Sequence, residues 1–556
     1  MSDGTSLFDS AVMNAFKPAD VATDRAVNRD VDPDVLIRRP VRNQAFLLPQ
    51  TLDDRIEPEH PARAIMAVID ALDLRELEAD VASNGRTGGR PAVAPQILLA
   101  LWVYSLSRGE ACASGISELV KMHDVYRWIC GGVPVRERTI SDFRRLHGAA
   151  FDRIAIEVIA VLMAEDLVDV TRITQDGTRV RASAGAGSFR RETTLEELRV
   201  AAAAHYEAVV ADAKTSERSK VAQSAAERGA RERLARIGRA QEILKEKLDT
   251  KGSAVDVKPA GCAIALSDVM EAATVLKTCD QAAVPSAIET CGVVAVPAPN
   301  EVCASAVVDC STNPNVAQSA VCATDASDRK RAPRASSTDP DATRMKMGDG
   351  GFRPAYNVQF ATAADGSGVI LGVEVTTRGS DQHELTPMRE QVERRTGEKV
   401  LAHIVDSGFA NAVDIEAADA AGTTVYAPLP KKQADPNGRV ARERSAAVKA
   451  WHARMESDEG KAVYKRRGEI AELSNARAKS RYGLSALTMR GLVGASVCAV
   501  LTVVSLNIER LISLRALHAT KQGDQDEHLA PTEPIEAIGA IEAIATSRLT
   551  ARATLP

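Results

Sequence analysis

The order of predicted secondary-structure elements between residues 352 and 430 constrains the fold of this chain most strongly. Two apolar runs within 352–375 are joined by Asp365, Gly366, Ser367 and Gly368, a composition typical of a hairpin turn. The segments that follow alternate between helix and strand: 384–397, 400–406, 411–422 and 423–430. Because alternating strands and helices build a sheet covered by helices, the sequence predicts an α/β domain with a mixed sheet.

The chain from residue 43 to about 167 is predicted to be helical. Residues 61–80 place apolar side chains three and four positions apart, whereas residues 94–109 are apolar around most of the helix circumference. We therefore expect the second of these helices to lie at the centre of a helical domain. Two more helical segments follow at 114–132 and 135–148.

The last two of these segments are joined by a short break, and the second of them is basic. Thr139 followed by Asp142 is typical of a helix N-cap with an acidic partner. Arg144 and Arg145 lie further along the same segment. This pattern is typical of a helix-turn-helix whose second helix contacts DNA, and equally of a helical hairpin with a solvated basic face. Both interpretations stay open on the sequence.

Several stretches depart from the alternation of strands and helices. Residues 192–248, rich in Ala, Glu and Arg, predict a long helical hairpin or coiled coil, and residues 252–328 hold six of the nine cysteines at spacings that fit no zinc template. The predicted organisation is a leader (1–42), a helical domain (43–167), the first sheet strands with a helical arm (168–251), an insertion or linker (252–328), the rest of the sheet domain (329–516) and a low-complexity tail (517–556).

The net charge of −5 is no signature of a nucleic-acid-binding protein, but the charge is unevenly distributed. Residues 461–490 contain eight Lys or Arg against two Glu. The next segment, 491–508, is an uncharged apolar run of 18 residues, just long enough to cross a membrane. Because it carries Ser, Thr and Asn and continues a basic helical segment, we expect a buried core helix. With no signal-peptide pattern and no CxxC pair, we expect reduced thiols in the cytoplasm.

Three acidic residues lie at the ends of two predicted strands and within the basic segment. Asp176 is predicted to close one apolar strand, Asp406 closes another, and Glu472 lies on the basic helix. Acids at the ends of neighbouring strands converge on one edge of a sheet, where their oxygens suit Mg²⁺ or Mn²⁺. Two such ions held roughly 3.5–4 Å apart stabilise the attacking and leaving oxygens of a displacement at phosphorus.

On a continuous α-helix, Glu472 would share one face with basic side chains. Lys465, Glu472 and Lys479 are seven residues apart, hence within about 20° of one another. This spacing suits a metal ligand flanked by phosphate-binding ammonium groups, and equally an ordinary solvated face with ion pairs. Glu469, about 60° from Glu472, is the alternative ligand.

The motifs together resemble the bacterial insertion-sequence transposases of the DDE type. The resemblance covers most of residues 43–514 except the segment near 252–328, and it rests on VYRWICGGVPVRERTISDFRRLHG (125–148), TQDGTRVRASAG (174–185), STDPDATRMKMGDGGFRPAYNVQF (337–360), SDQHELTPM (380–388), HIVDSGFAN (403–411) and YKRRGEIAELSNARAKSRYGLSALTMRGL (464–492). Tyr464, Arg467, Glu472 and Lys479 match the family's Tyr, Arg, Glu, Lys signature. The spacing from Arg467 to Glu472 is one residue longer than the commonest form.

The resemblance implies an RNase H-like catalytic core and an N-terminal transposase-associated helical domain. In the helix-turn-helix interpretation of that domain, Arg144 and Arg145 would contact DNA. It implies that Asp176, Asp406 and Glu472 bind Mg²⁺, with Mn²⁺ as the alternative. The metal site would cut at the terminal inverted repeats of the transposon, and the freed 3′-hydroxyl would attack target DNA.

The resemblance further implies that Arg467 and Lys479 hold phosphate, and Lys465, from the spacing on the predicted helix face, is expected to be a further DNA contact. Tyr464 would either contact a displaced end nucleotide or serve packing. The expected assembly is a homodimer on DNA, in the bacterial cytoplasm at the nucleoid and not in a membrane. The alternatives are a metal-dependent nuclease without strand transfer and a non-catalytic, repressor-like DNA-binding remnant.

Overall fold

The computed structural model describes residues 51–79, 92–215, 219–252, 333–429 and 445–526. All but the first of these residues belong to one compact unit, Leu52–Pro556. The predicted leader, nearly all of the cysteine-rich insertion and most of the predicted tail lie outside the described residues. The cysteines that are described, Cys112, Cys130 and Cys498, are free thiols.

The described chain begins with the predicted helical region. Its helices are α1 (Pro61–Asp70), α2 (Arg75–Ala79), α3 (Pro95–Ser107), α4 (Ala113–Met122), α5 (Asp124–Ile129), α6 (Glu137–Leu146) and α7 (Gly148–Ala164), after a 3-10 turn at Asp53–Arg55. Helix α3 is buried along nearly its whole length, as its apolar circumference predicts. Trp102 on α3 is fully buried and donates its indole N–H to the carbonyl oxygen of Ile140 on α6 at 3.1 Å. The central helix thus anchors the basic helix α6.

Helix α6 begins earlier than the sequence predicts. It starts at Glu137 with Arg136 as the N-cap residue, so Thr139 lies inside the helix and is not the N-cap. The Arg136 side chain makes no capping hydrogen bond. Asp142 instead forms ion pairs with Arg138 at 3.2 Å and Arg145 at 3.4 Å. The prediction that Thr139 and Asp142 form a capping pair is therefore wrong.

A mixed sheet forms the second part of the core. Its strands are β1 (Arg172–Arg181), β4 (Thr343–Lys346), β5 (Phe352–Ala363), β6 (Ile370–Thr376), β7 (Ala402–Ile404) and β8 (Thr424–Tyr426). The strand order is β4-β5-β1-β7-β8, and β6 also pairs with β5. Strands β4, β5, β6 and β1 pair antiparallel, whereas β1, β7 and β8 pair parallel. The short strands β2 (Phe189–Arg190) and β3 (Ala335–Ser336) form a separate pair.

The connections in this sheet follow the predicted order. The turn between β5 and β6 contains Asp365, whose Oδ1 accepts the backbone N–H of Ser367 at 2.8 Å. Helix α10 (Leu385–Thr396) follows β6, and α11 (Ala412–Ala420) connects β7 to β8. The α/β domain is consistent with the RNase H-like fold that the resemblance implies.

The 192–248 segment forms the predicted helical hairpin. It consists of α8 (Glu192–Thr215) and α9 (Lys220–Gly252), which pack through Leu195 and Ala202 on one side and Ile237 on the other. In the sequence this hairpin lies between β2 and β3, and its two helices contribute no strand to the sheet.

The last described helix joins the helical region to the sheet. After α12 (Ala446–Glu456), α13 (Asp458–Lys465), a π turn (Gly468–Glu472) and α14 (Leu473–Ser480), the chain forms α15 (Gly491–Asp526). Within α15, Gly491–Thr520 passes the length and hydropathy test for a membrane span, but 83% of its most apolar window is buried. It packs against α7, α3 and β6 in one hydrophobic core, so it is the expected core helix. It extends to Asp526, into the predicted tail.

Candidate active site

Asp176 lies inside β1 rather than at its end, which corrects the sequence-based prediction. The strand continues to Arg181, because residues 173–181 pair with β5, where Asp176 is opposite Phe360. The neighbouring strand β7 pairs only with the first residues of β1, with Thr174 opposite Ile404. Asp176 therefore lies two residues beyond the last β1 residue that pairs with β7. That position leaves its carboxylate half-buried rather than enclosed.

Asp406 lies at the same level as Asp176. Both acids come two residues after the Thr174–Ile404 pair of the adjacent parallel strands. Asp176 lies within β1, whereas Asp406 lies two residues beyond the end of β7 at Ile404 and does not close that strand as the sequence predicts. Asp406 is exposed, and its Oδ1 accepts the backbone N–H of Ser407 at 2.6 Å. The adjacency of the two acid-bearing strands is the arrangement that the sequence predicts.

Asp176 is bound by two side chains of the basic helical segment. Arg467 Nη2 lies 2.9 Å from Oδ1 and Asn475 Nδ2 lies 2.7 Å from Oδ2. Burial raises the pKa of Asp176, while Arg467 and Asn475 oppose the rise and the nearby negative charge of Asp381 adds to it. The carboxylate is thus held in a polar, partly desolvated setting against the basic segment.

The π turn explains how Arg467 and Asn475 reach one carboxylate. They are eight residues apart, which on a regular α-helix places them about 80° apart. A π turn contains one residue more than a regular helical turn. The directions of the Arg467 and Asn475 side chains around the helix axis are therefore those of residues seven apart on a regular helix, within about 20° of each other. The unusually long spacing from Arg467 to Glu472 coincides with this turn.

Glu472 and Glu469 are both exposed and neither contacts Asp176 or Asp406 through a described hydrogen bond. The segment is not the continuous helix on which the predicted stripe of Lys465, Glu472 and Lys479 was based, because the π turn changes the phase between Lys465 and Glu472. Lys465 is exposed at the end of α13.

Lys479 lies close to Asp176, and Tyr464 lies close to both Asp176 and Asp406. Burial lowers the pKa of Lys479, nearby Arg179 acts in the same direction, and Asp176 opposes both. Burial raises the pKa of Tyr464, which interacts electrostatically with Arg467, Asp406 and Asp176. Tyr464 also packs against the small hydrophobic cluster that contains Trp451. The half-buried ring therefore has a packing role in this structure.

The two arginines predicted to contact DNA occupy different environments. Arg144 is 6% exposed, its guanidinium stacks 4.3 Å from the centre of the Trp102 ring, and its Nη1 donates to the Ala111 carbonyl at 3.0 Å. It is a packing residue here, not the exposed phosphate contact that the sequence suggests. Arg145 has an exposed side chain and pairs with Asp142.

Asp381 and Asn475 are site residues that the sequence did not single out. Asp381 lies in the segment 380–388, which supports the family resemblance without specifying a role for its carboxylate. Its Oδ1 accepts hydrogen bonds from Asn357 at 2.7 Å and Gln359 at 2.6 Å. The available signal was an acid in the short connection between β6, which ends at Thr376, and α10, which begins at Leu385.

The donor chemistry of this site fits a hard divalent cation. Asn475 Oδ1 is buried without a hydrogen-bond partner beside the Asp176 carboxylate. A buried acceptor with no partner is unfavourable, and oxygen ligands are those that Mg²⁺ and Mn²⁺ prefer. Among the described residues, however, no three His, Cys, Asp or Glu side chains are grouped as a metal site. Asp176, Asp406 and Glu472 are thus not assembled around a single point.

Two family models match this chain. The model described as Transposase domain (DUF772) matches residues 50–146, and the model described as Transposase DDE domain matches residues 318–508. The chain belongs to the insertion-sequence DDE transposases. No curated protein and no solved structure gives a significant match.

The two matches correspond to the two parts of the fold, the N-terminal helices and the sheet domain. The first covers helices α1 to α6, and the second contains β4 to β8, the basic segment and most of the apolar part of α15. Asp406 and Glu472 lie within the second match, whereas Asp176 lies before it. The family implies DNA as the partner and transfer at phosphodiester bonds, typically with a divalent metal ion.

Proposed function

We propose that this transposase binds the terminal inverted repeats of an insertion sequence and catalyses strand cleavage followed by strand transfer. The observation that carries the proposal is the position of Asp176 on β1 and of Asp406 just after the adjacent parallel strand β7, with Arg467 and Lys479 of the basic segment beside Asp176. Acidic metal ligands next to phosphate-binding cations are what a phosphodiester displacement requires.

Asp176, Asp406 and Glu472 would hold the divalent cation, which we propose to be Mg²⁺ or Mn²⁺. When bound, the cation supplies charge stabilisation at the reacting phosphate and lowers the pKa of an attacking water or hydroxyl. The Arg467 guanidinium, a planar donor suited to phosphate oxygens, would hold the DNA backbone. Asn475 keeps the Asp176 carboxylate oriented through its Nδ2.

Lys479 would complete the phosphate-binding surface. Its half-buried ammonium group lies close to Asp176 and Arg179, so a phosphate there would relieve the repulsion between Lys479 and Arg179. Lys465, Arg145 and Tyr464 would contact DNA further from the scissile bond. Two transposon ends must be processed together, so we propose that a homodimer acts on DNA.

The test is cleavage of a labelled duplex that carries the element's own terminal repeat, in Mg²⁺ and in EDTA. We expect metal-dependent nicking at the repeat boundary and joined products when target DNA is added. Asp176→Asn and Asp406→Asn should each reduce the rate by at least about 10²-fold, since each removes a charged ligand. Nicking without joined products would instead indicate a nuclease.

One observation favours a second candidate, a non-catalytic DNA-binding protein. Arg467 already neutralises Asp176, and among the described residues no three acids are grouped for a metal. Specific binding to the repeat without cleavage in Mg²⁺ or Mn²⁺ would support this candidate and contradict the proposed enzyme.

A further inference from the structure

The Asp381 carboxylate lies against the backbone of the residue that follows Asp176. A Cβ built on Gly177 would be only 2.4 Å from Asp381 Oδ1 and 2.4 Å from Gln359 Nε2. Strand β1 can therefore accommodate this carboxylate only because position 177 has no side chain. Gly177 is opposite Gln359 in the β1–β5 register, so the contact is set by the sheet itself.

The orientation of Asp381 is fixed by two buried amides. Asn357 and Gln359, 1% and 0% exposed, both donate to Oδ1 and leave Oδ2 without a hydrogen bond from them. The second oxygen is on the side of the Asp406 loop, where a Cβ built on Gly408 would be 3.8 Å from Oδ2. The carboxylate thus lies between the residue after Asp176 and the loop after Asp406.

No cation neutralises Asp381 in the described part of the chain. Among the described residues, no Lys, Arg or His lies within ion-pair distance of it, whereas Asp176 is paired with Arg467. Two neutral amides orient a carboxylate without removing its charge. Such an arrangement leaves one anionic oxygen available to a cation, as metal ligands held by an outer layer of hydrogen bonds are.

We infer that Asp381 is an additional carboxylate of the metal site, with Oδ2 as the oxygen that it offers to a divalent cation held by Asp176 and Asp406. This inference rests on the proposed function and extends it. It concerns Asp381 in addition to Glu472, and it assigns Asn357, Gln359 and Gly177 the role of positioning the Asp381 carboxylate.

The test is the affinity of the full-length protein for Mn²⁺, measured by electron paramagnetic resonance of the free ion in the absence of DNA. Asp381→Asn is the informative variant, because its amide oxygen can still accept from Asn357 and Gln359 while the anionic Oδ2 is lost. Asp419→Asn is the matched control, since Asp419 is exposed on α11 away from the site. We expect Asp381→Asn to weaken Mn²⁺ binding at least about tenfold and the control to leave it unchanged.

Asp176→Asn separates the possible failures. If it weakens Mn²⁺ binding while Asp381→Asn binds as the wild type does, the inference about Asp381 is wrong and the proposed function stands. If the wild type binds no Mn²⁺, both are overturned. An equal loss in Asp419→Asn would reduce the effect to net charge and also overturn the inference. Should Asp381→Asn fail to give the wild-type circular dichroism spectrum, Asp381→Ser, with a smaller side chain, replaces it under the same criteria.

Discussion

At the scale of single residues, Gly177 decides what can lie beside Asp176. Its backbone is in an ordinary strand conformation, so alanine would normally be at least as favourable there as glycine. What excludes a side chain is contact: a Cβ would be 2.4 Å from Asp381 Oδ1 and 3.0 Å from Asn357 Oδ1. The glycine is therefore required by its neighbours rather than by its own dihedral angles.

We predict that Gly177→Ala lowers the free energy of unfolding by about 1–3 kcal/mol, because side chains in a filled site must shift. It should also displace Asp381 and weaken Mn²⁺ binding. Urea denaturation of the wild type and the variant measures the first effect. Gly185→Ala is the matched control, since a Cβ there meets nothing within 4 Å and its φ is negative. Equal stability of both variants would contradict the argument.

At the scale of secondary-structure elements, the π turn at Gly468–Glu472 determines which residues of the basic segment face the sheet. It brings Arg467 and Asn475 to the same side, and both bind Asp176. The turn also leaves Glu472 exposed, three positions before Asn475 and hence about 60° from the face that contacts Asp176.

A pair of length variants tests this phase argument. Deleting Glu469 removes the extra residue of the π turn and leaves Arg467 and Asn475 seven residues apart on a regular helix, on the same face as before. We therefore expect the free energy of unfolding to change by less than about 1 kcal/mol. Inserting one Ala after Glu469 should rotate Arg467 by about 100° away from Asp176 and leave the carboxylate unpaired, a loss of about 1–3 kcal/mol. Denaturant unfolding of both variants provides the measurement. A deletion as destabilising as the insertion would show that the π turn has another role.

At the scale of the whole molecule, α15 makes one core of what the sequence suggests are two domains. Asn507 on this helix accepts from the backbone N–H of Ile370 at 2.9 Å and donates to its carbonyl oxygen at 2.8 Å. These bonds link the helix to strand β6, while its other side packs against α7 and α3. Substitutions that disrupt packing in the helical region should therefore also destabilise the sheet.

The pH dependence of stability is a second whole-molecule property, and two buried groups act on it in opposite directions. Burial lowers the pKa of His403 from 6.5 to about 3, so the unfolded chain binds a proton that the native state does not, and stability falls as the pH drops below 6.5. Burial raises the pKa of Glu384 from 4.5 to about 7, against the effect of Arg378. The native state then holds the extra proton, and stability is lost as the pH rises from 4.5 to 7.

Between about pH 4.5 and 6.5 we expect the two contributions to oppose each other. His403→Leu should leave a stability that falls as the pH rises through this range, and Glu384→Gln should leave one that rises. The limiting slope of each contribution is about 1.4 kcal/mol per pH unit. Urea unfolding at half-unit steps of pH measures the profiles. Identical profiles for both variants and the wild type would contradict the assignment.

The sequence by itself determined the order and type of the elements. Alternating apolar runs and a turn of Asp, Gly and Ser are local signals, so the β5–β6 hairpin and the strands β7 and β8 were predicted to within a few residues. The buried helices α3 and α15 followed from apolar side chains on all sides. The acids Asp176 and Asp406 were found because each follows an apolar run.

Only the tertiary structure decided what surrounds these acids. The contact of Asp381 with Gly177 depends on the pairing of β1 with β5, which places Gly177 opposite Gln359, 182 positions further along the chain. The phase of the basic segment depends on a π turn, and sequence periodicity assumes a regular helix. Arg144 faces Trp102 rather than solvent because α6 packs on α3. Local patterns report which elements form, whereas register, phase and burial arise when those elements pack together.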